Sequence, residues 1–215
     1  MTGVGGTDEY LTLLRAAQDE YIVQKSRFLC DAAPCETEEE ALAFLQDKRT
    51  RYRDATHHCY AYIIGENQGI IRYSDDGEPG GTAGMPILDV LRSARLVNCC
   101  AVVVRYFGGT LLGTGGLVRA YTKGCQIAVQ AAGIVRMEWT FRDLCEVPYP
   151  AWDSVRYALD RLPARVCDPE YGTAVSFTML TREKDRETVL EAIQKSSGRK
   201  LTFLPESESW EAWSL

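Results

Sequence analysis

Histidine is nearly absent: the 215 residues hold two, His57 and His58, and these are adjacent. Neighbours on a strand point to opposite faces, so the run His57, His58, Cys59 does not converge on a zinc ion, and no second ligand pair exists. Long apolar runs are missing too. No stretch approaches the ~20 residues that span a bilayer, and the opening MTGVGGTDEY has neither the basic patch nor the apolar core of a secretion signal. Positive charge is not in excess, since the net charge is -6 and residues 1–132 carry thirteen Lys and Arg against sixteen Asp and Glu. Nucleic-acid binding by a wholly basic domain is thereby excluded. Only local patches remain, either Lys48, Arg49, Arg51 and Arg53 or Arg105, Arg119 and Lys123. The eight cysteines lie in apolar surroundings without paired metal spacing, so a reduced, cytoplasmic protein is expected. Neither P-loop spacing nor a nucleophile beside a base is recognisable.

What is present is concentrated between Ser74 and Tyr121. Asp75, Asp76 and Glu78 place three carboxylates in a window that Gly77 and Pro79 force to turn, where they either converge on a cation such as Mg2+ or form a solvated acidic turn. Gly80, Gly81 and Gly84 flank Thr82 ahead of a helix near Pro86, so the loop either feeds amides to an anion or only permits tight packing. Cys99–Val104 reads as a strand apolar on both faces, and Arg105 stands at its end between aromatic neighbours. Arg105 is either a binding group or the partner of an upstream carboxylate. A glycine-rich segment then leads to a helix with Thr114 as N-cap. Leu117, Tyr121, Gly124 and Ala128 share one face of that helix, and Arg119 and Lys123 lie on another.

The wider pattern is α+β, in two domains at 1–133 and 134–215. A strand is expected at 21–33, then a helix opened by the capping box of Thr37 and Glu40, strands near 58–65 and 70–74, a helix from Pro86, a strand near 99–105 and a helix ending at Gly133, making a mixed sheet with helices. Beyond it Val135, Met137, Trp139 and Phe141 alternate as a half-buried strand. The order βαββαβ that follows is the ferredoxin-like plan. The tail SESWEAWSL shows two tryptophans and no clear element, and reads as a docking segment or a mobile end.

Four segments, EYIVQKSRFLC (20–30), DATHHCYAY (54–62), SDDGEPGGTAGMPILDVL (74–91) and VVVRYFGGTLLGTGGLVRAYTKG (102–124), together resemble the IMPACT/YigZ family. The resemblance implies an N-terminal domain similar to the second domain of a small-subunit ribosomal protein. It also implies a C-terminal domain similar to elongation factor G domain V. The implied role is binding rather than catalysis: regulation of translation or stress response by contact with RNA, the ribosome or a translation factor, as eukaryotic relatives compete for the activator of an amino-acid-starvation kinase. The alternative is an Mg2+-dependent enzyme acting on a phosphorylated or nucleotide substrate, and a third reading is an adaptor using the tail. The expected binding residues are His58, Asp75, Asp76, Glu78, Thr82, Arg105, Arg119 and Lys123, with the three cations holding phosphate and the carboxylates positioning Arg105 or a metal. No cofactor is required apart from that Mg2+, and no membrane contact is expected.

Overall fold

A strand that is apolar on both faces must be covered from both sides, and the first half of the chain supplies three helices to do so. The computed structural model describes residues 9–213. Its elements run β1 (Glu9–Leu13), β2 (Ala17–Val23), β3 (Ser26–Pro34), α1 (Glu38–Arg51), β4 (His57–Ile64), β5 (Ile70–Ser74), α2 (Gly84–Ser93), β6 (Cys99–Tyr106) and α3 (Gly113–Ala132). Then come β7 (Ile134–Val147), α4 (Tyr149–Leu159), β8 (Ala164–Tyr171), β9 (Val175–Arg182), α5 (Glu183–Ser197) and β10 (Thr202–Trp213). The protein is therefore α+β, with two sheets and five helices among the described residues. None of these helices is long and apolar enough to cross a membrane. The chain divides into two compact units. Of the described residues, the first runs to Met137 and takes in Ala212 and Trp213, and the second covers Glu138–Glu211, so the division falls within β7.

In the first unit the strand order is β2-β3-β6-β4-β5, and every neighbouring pair is antiparallel rather than mixed. Central β6 is buried from Cys99 to Arg105. Ala41 and Leu45 of α1 join Leu29, Tyr62, Cys100, Val102 and Val104 in one cluster. On the other face α3 comes so close that a Cβ on Gly124 would stand 2.7 Å from Cys30 Sγ, which is why this helix position carries no side chain. Thr37 caps α1 by accepting from the Glu40 amide at 3.2 Å. The Glu40 carboxylate reaches back to the Glu36 amide at 2.7 Å, one residue beyond the usual box partner.

Two expectations need correction here. The strand expected at 21–33 is a hairpin, β2 and β3, turning at Gln24 and Lys25 with φ of 45° and 66°. Two successive positive φ values make a type I′ turn, and the Asn-Gly or Asp-Gly pair that usually announces one is absent. Thr114 does not cap α3, because the cap position is Leu112 and Thr114 lies inside the first turn.

The second unit has the order βαββαβ, and its sheet runs β10-β7-β9-β8. Trp152, Val155 and Leu159 of α4 pack with Phe177, Met179, Val189 and Ile193. Burial along β7 keeps to no single face: Val135, Asp143, Cys145 and Val147 are buried on the expected side, Glu138 and Thr140 are buried on the other, and Trp139 and Phe141 are half-buried. Burial of the acids is tolerated because Arg182 and Lys184 hold Glu138 at 3.2 and 2.6 Å, and Arg186 grips both Asp143 oxygens at 2.6 and 3.0 Å. The tail also forms an element: β10 continues to Trp213, and Trp210 meets Trp139 edge to face at 5.4 Å.

Candidate functional site

The three carboxylates of the turn after β5 go to three different places. Asp75 accepts from the amides of Gly81 (2.9 Å), Ala83 (2.9 Å) and Gly84 (2.8 Å), so the anion held at the start of α2 is the protein's own. Burial pushes the Asp75 carboxyl up, but the three amide bonds outweigh it and hold it below the ordinary range. Gly84 is required there, since a Cβ would stand 2.7 Å from the Ser74 carbonyl carbon. Asp76 accepts from the His58 amide at 2.7 Å and lies 3.5 Å from Arg49. Glu78 turns inward to Arg105. Among the described residues no three His, Cys, Asp or Glu are placed to hold a metal ion.

Arg105 stands where three adjacent strands meet, since the register sets it opposite Phe28 of β3 and opposite His57 of β4. Its Nη1 donates to Glu78 Oε1 at 2.6 Å and its Nη2 to Ser26 Oγ at 3.3 Å, while the rings of Phe28 and Phe107 lie 5.5 Å from the guanidinium carbon. Glu78 Oε1 also accepts from the Tyr121 hydroxyl at 2.8 Å, and His57 Nε2 stands 3.9 Å from it. Burial, first among several causes, pushes the Tyr121 phenol far up, so the hydroxyl remains a donor. His57 Nδ1 donates to the Asp76 carbonyl at 2.8 Å, which only accepts. Gly108 crosses the β2–β3 turn, and a Cβ there would collide with the Lys25 backbone.

A pocket of about 420 Å³ opens above this cluster. Glu78 and Arg105, with the His57 ring beside them, give it a charged wall, and Pro79, Phe107, Leu111 and Leu117 give it apolar ones. The start of α3, at Gly113 and Thr114, completes it. This arrangement can recognise a ligand that is partly apolar and partly polar. Cysteine chemistry is not available nearby: Cys59, whose Sγ lies 3.4 Å from the Tyr121 hydroxyl, is pushed up chiefly by burial and stays protonated.

Of the expected residues, Glu78 and Arg105 come together at this pocket. His58 does not, because on β4 it alternates with His57 and its Nε2 donates instead to the Tyr52 carbonyl at 3.0 Å. Thr82 is buried and donates to the Pro79 carbonyl at 2.7 Å, closing the turn. Arg119 and Lys123 are exposed on α3. Arg119 lines a separate hollow with Tyr21, Gln24 and Leu112, so Arg105, Arg119 and Lys123 do not form one phosphate cradle. His57 and Tyr121 were not expected in the site. Their signal was thin: one is the twin of His58, and the other an apolar-face helix position.

Comparison with known proteins places these residues in a wider set. A family model described as the Impact N-terminal domain matches residues 24–129, which include every residue of the charged wall. The chain is 36% identical over 195 residues to an "IMPACT family member" of Haemophilus influenzae, covering 89% of this chain and 94% of that one. It is 48% identical over 126 residues to "IMPACT family member YvyE" of Bacillus subtilis, spanning 59% of this chain and 58% of that protein's length. A solved structure described as "Crystal structure of an hypothetical protein" superposes with a TM-score of 0.60 at 29% identity, covering 94% of this chain and 98% of that one.

Proposed function

The chain belongs to the IMPACT family, and from that premise we propose that it is a cytoplasmic binding protein that regulates translation or the stress response through contact with RNA, the ribosome or a translation factor. The observation that carries the reading is the use of every carboxylate in the acidic turn. Asp75 caps α2, Asp76 holds His58 and Arg49, and Glu78 holds Arg105, so none is left to bind Mg2+ or act as a base. What remains is a pocket equipped to recognise. Support for translation as the setting comes from the family resemblance, which implies units similar to modules that touch ribosomal RNA, an analogy of fold. No chemical step and no cofactor enter the reading.

The test is copurification from native lysate with and without ribonuclease. Ribosomal proteins or translation factors are expected in the eluate. Material lost on ribonuclease treatment marks an RNA contact, and retained material a protein contact. An eluate with no translation component overturns the reading.

A further inference from the structure

Most of the cations that the sequence offered for phosphate are engaged within the fold. Lys48 pairs with buried Asp31 at 3.0 Å, Arg51 lies 3.7 Å from Asp47, Arg49 lies near Asp76, and Arg105 spends both terminal nitrogens on Glu78 and Ser26, which leaves only its Nε–H. A phosphate chain brings one charge per nucleotide to a protein of net charge -6, and it needs more cations than the exposed face of α3 provides.

The pocket over Arg105 asks for something else. Its mouth is apolar, with Leu111 85% and Phe107 46% exposed. The 20-residue helix α3 starts in its wall with no side-chain cap and no acidic residue in the first turn, so the start of the helix favours negative charge, unlike α2 with its Asp75. Independently, Arg105 is 5% exposed, and its Nε–H is buried without an acceptor among the described residues. A buried donor facing no acceptor is costly unless something supplies one.

Resting on the regulatory reading above, we propose that this pocket captures the C-terminal end of a partner polypeptide, with its last apolar side chain among Phe107, Leu111 and Leu117 and its α-carboxylate against the start of α3 and Arg105. A chain end brings one negative charge, two acceptor oxygens and an adjoining apolar side chain, which matches the donors and the walls. Capture of a terminal carboxylate by backbone amides is an established mode of peptide recognition. A pocket of about 420 Å³ lies within the ordinary range for a compact ligand.

The test is fluorescence polarisation on the full chain with labelled short peptides ending in Leu, Ile, Val or Phe, as free acids and as C-terminal amides. The free acids are expected to bind saturably. Amidation is expected to weaken binding by about tenfold or more, the loss of a charge-assisted hydrogen bond. Leu111→Asp, at an exposed position that burdens the fold little, should weaken the acids by a similar factor with an unchanged thermal melt. No saturable binding of the acids, equal binding of acids and amides, or an unaffected Leu111→Asp variant each overturns the proposal. If translation components copurify while no peptide binds, the pocket inference falls and the regulatory reading stands. Peptide binding with no copurified translation component supports the inference and removes the regulatory reading.

Discussion

Arg105 Nη1 donates to Glu78 Oε1 across 2.6 Å, with both side chains almost wholly withdrawn from water. The pair ties the end of β6 to the acidic turn, and Tyr121 brings α3 to the same oxygen. Removing one partner of a buried pair leaves an uncompensated charge, which costs about 3–5 kcal/mol. Glu78→Ala is therefore expected to lose stability of that order in urea denaturation. Glu78→Leu combined with Arg105→Met should regain much of it, because an apolar pair leaves no orphan charge. A single-variant loss below about 1 kcal/mol would mean that water or another group replaces the lost partner.

Asp75 has a folded pKa below its unfolded value, so it contributes stability above the ordinary carboxylate range and loses that contribution as pH falls through the depressed folded value. Asp75→Asn is expected to cost about 1–3 kcal/mol at neutral pH, the worth of charge-assisted bonds to the amides. The gap between variant and wild type should narrow below about pH 4. Thermal melts at a series of pH values check this. A gap that is constant with pH would assign the cost to packing.

Divergent carboxylates do not make a divalent site, and hard cations need several oxygens at once. Titration with Mg2+ or Mn2+ is expected to leave the melting temperature unchanged in wild type and in Asp76→Ala alike. A metal-dependent rise that disappears in Asp76→Ala would restore the turn as a cation site.

Exposed Arg119 and Lys123 are the cations of α3 open to a phosphate. If single-stranded RNA binds this face, the slope of log affinity against log salt should be no steeper than about -2, at roughly -0.7 to -0.9 for each contact. Replacing both residues by Ala should abolish that slope without moving the melting temperature. A much steeper slope in wild type would place the contact elsewhere on the chain.

The two compact units lead to the expectation of separable unfolding. Calorimetry should resolve two transitions, with Glu78→Ala lowering one and Asp143→Asn, which weakens the Arg186 grip, lowering the other. One shared transition lowered by both variants would count against independent units.

The sequence by itself determined the kinds of element and most of their places. The apolar face of α3 at Leu117, Tyr121, Gly124 and Ala128 is buried as its spacing requires, and the βαββαβ order of the second half was visible in changes of period. Both are local properties, written within a few turns of chain. The turn at Gln24 and Lys25 escaped because neither residue announces a positive φ, and Glu138 and Asp143 escaped because their cations sit 43 residues or more along the chain. The site was legible in part: Glu78 and Arg105 were marked, and partnership of Arg105 with an upstream carboxylate was one of its two readings, but not that the carboxylate is Glu78. Only the tertiary structure decided that His57 rather than His58 faces the pocket and that Asp75 takes the amides at the start of α2. The physical reason is that a strand offers two faces of equal local standing, and the register of β3, β6 and β4 beneath α3 selects which one meets Arg105.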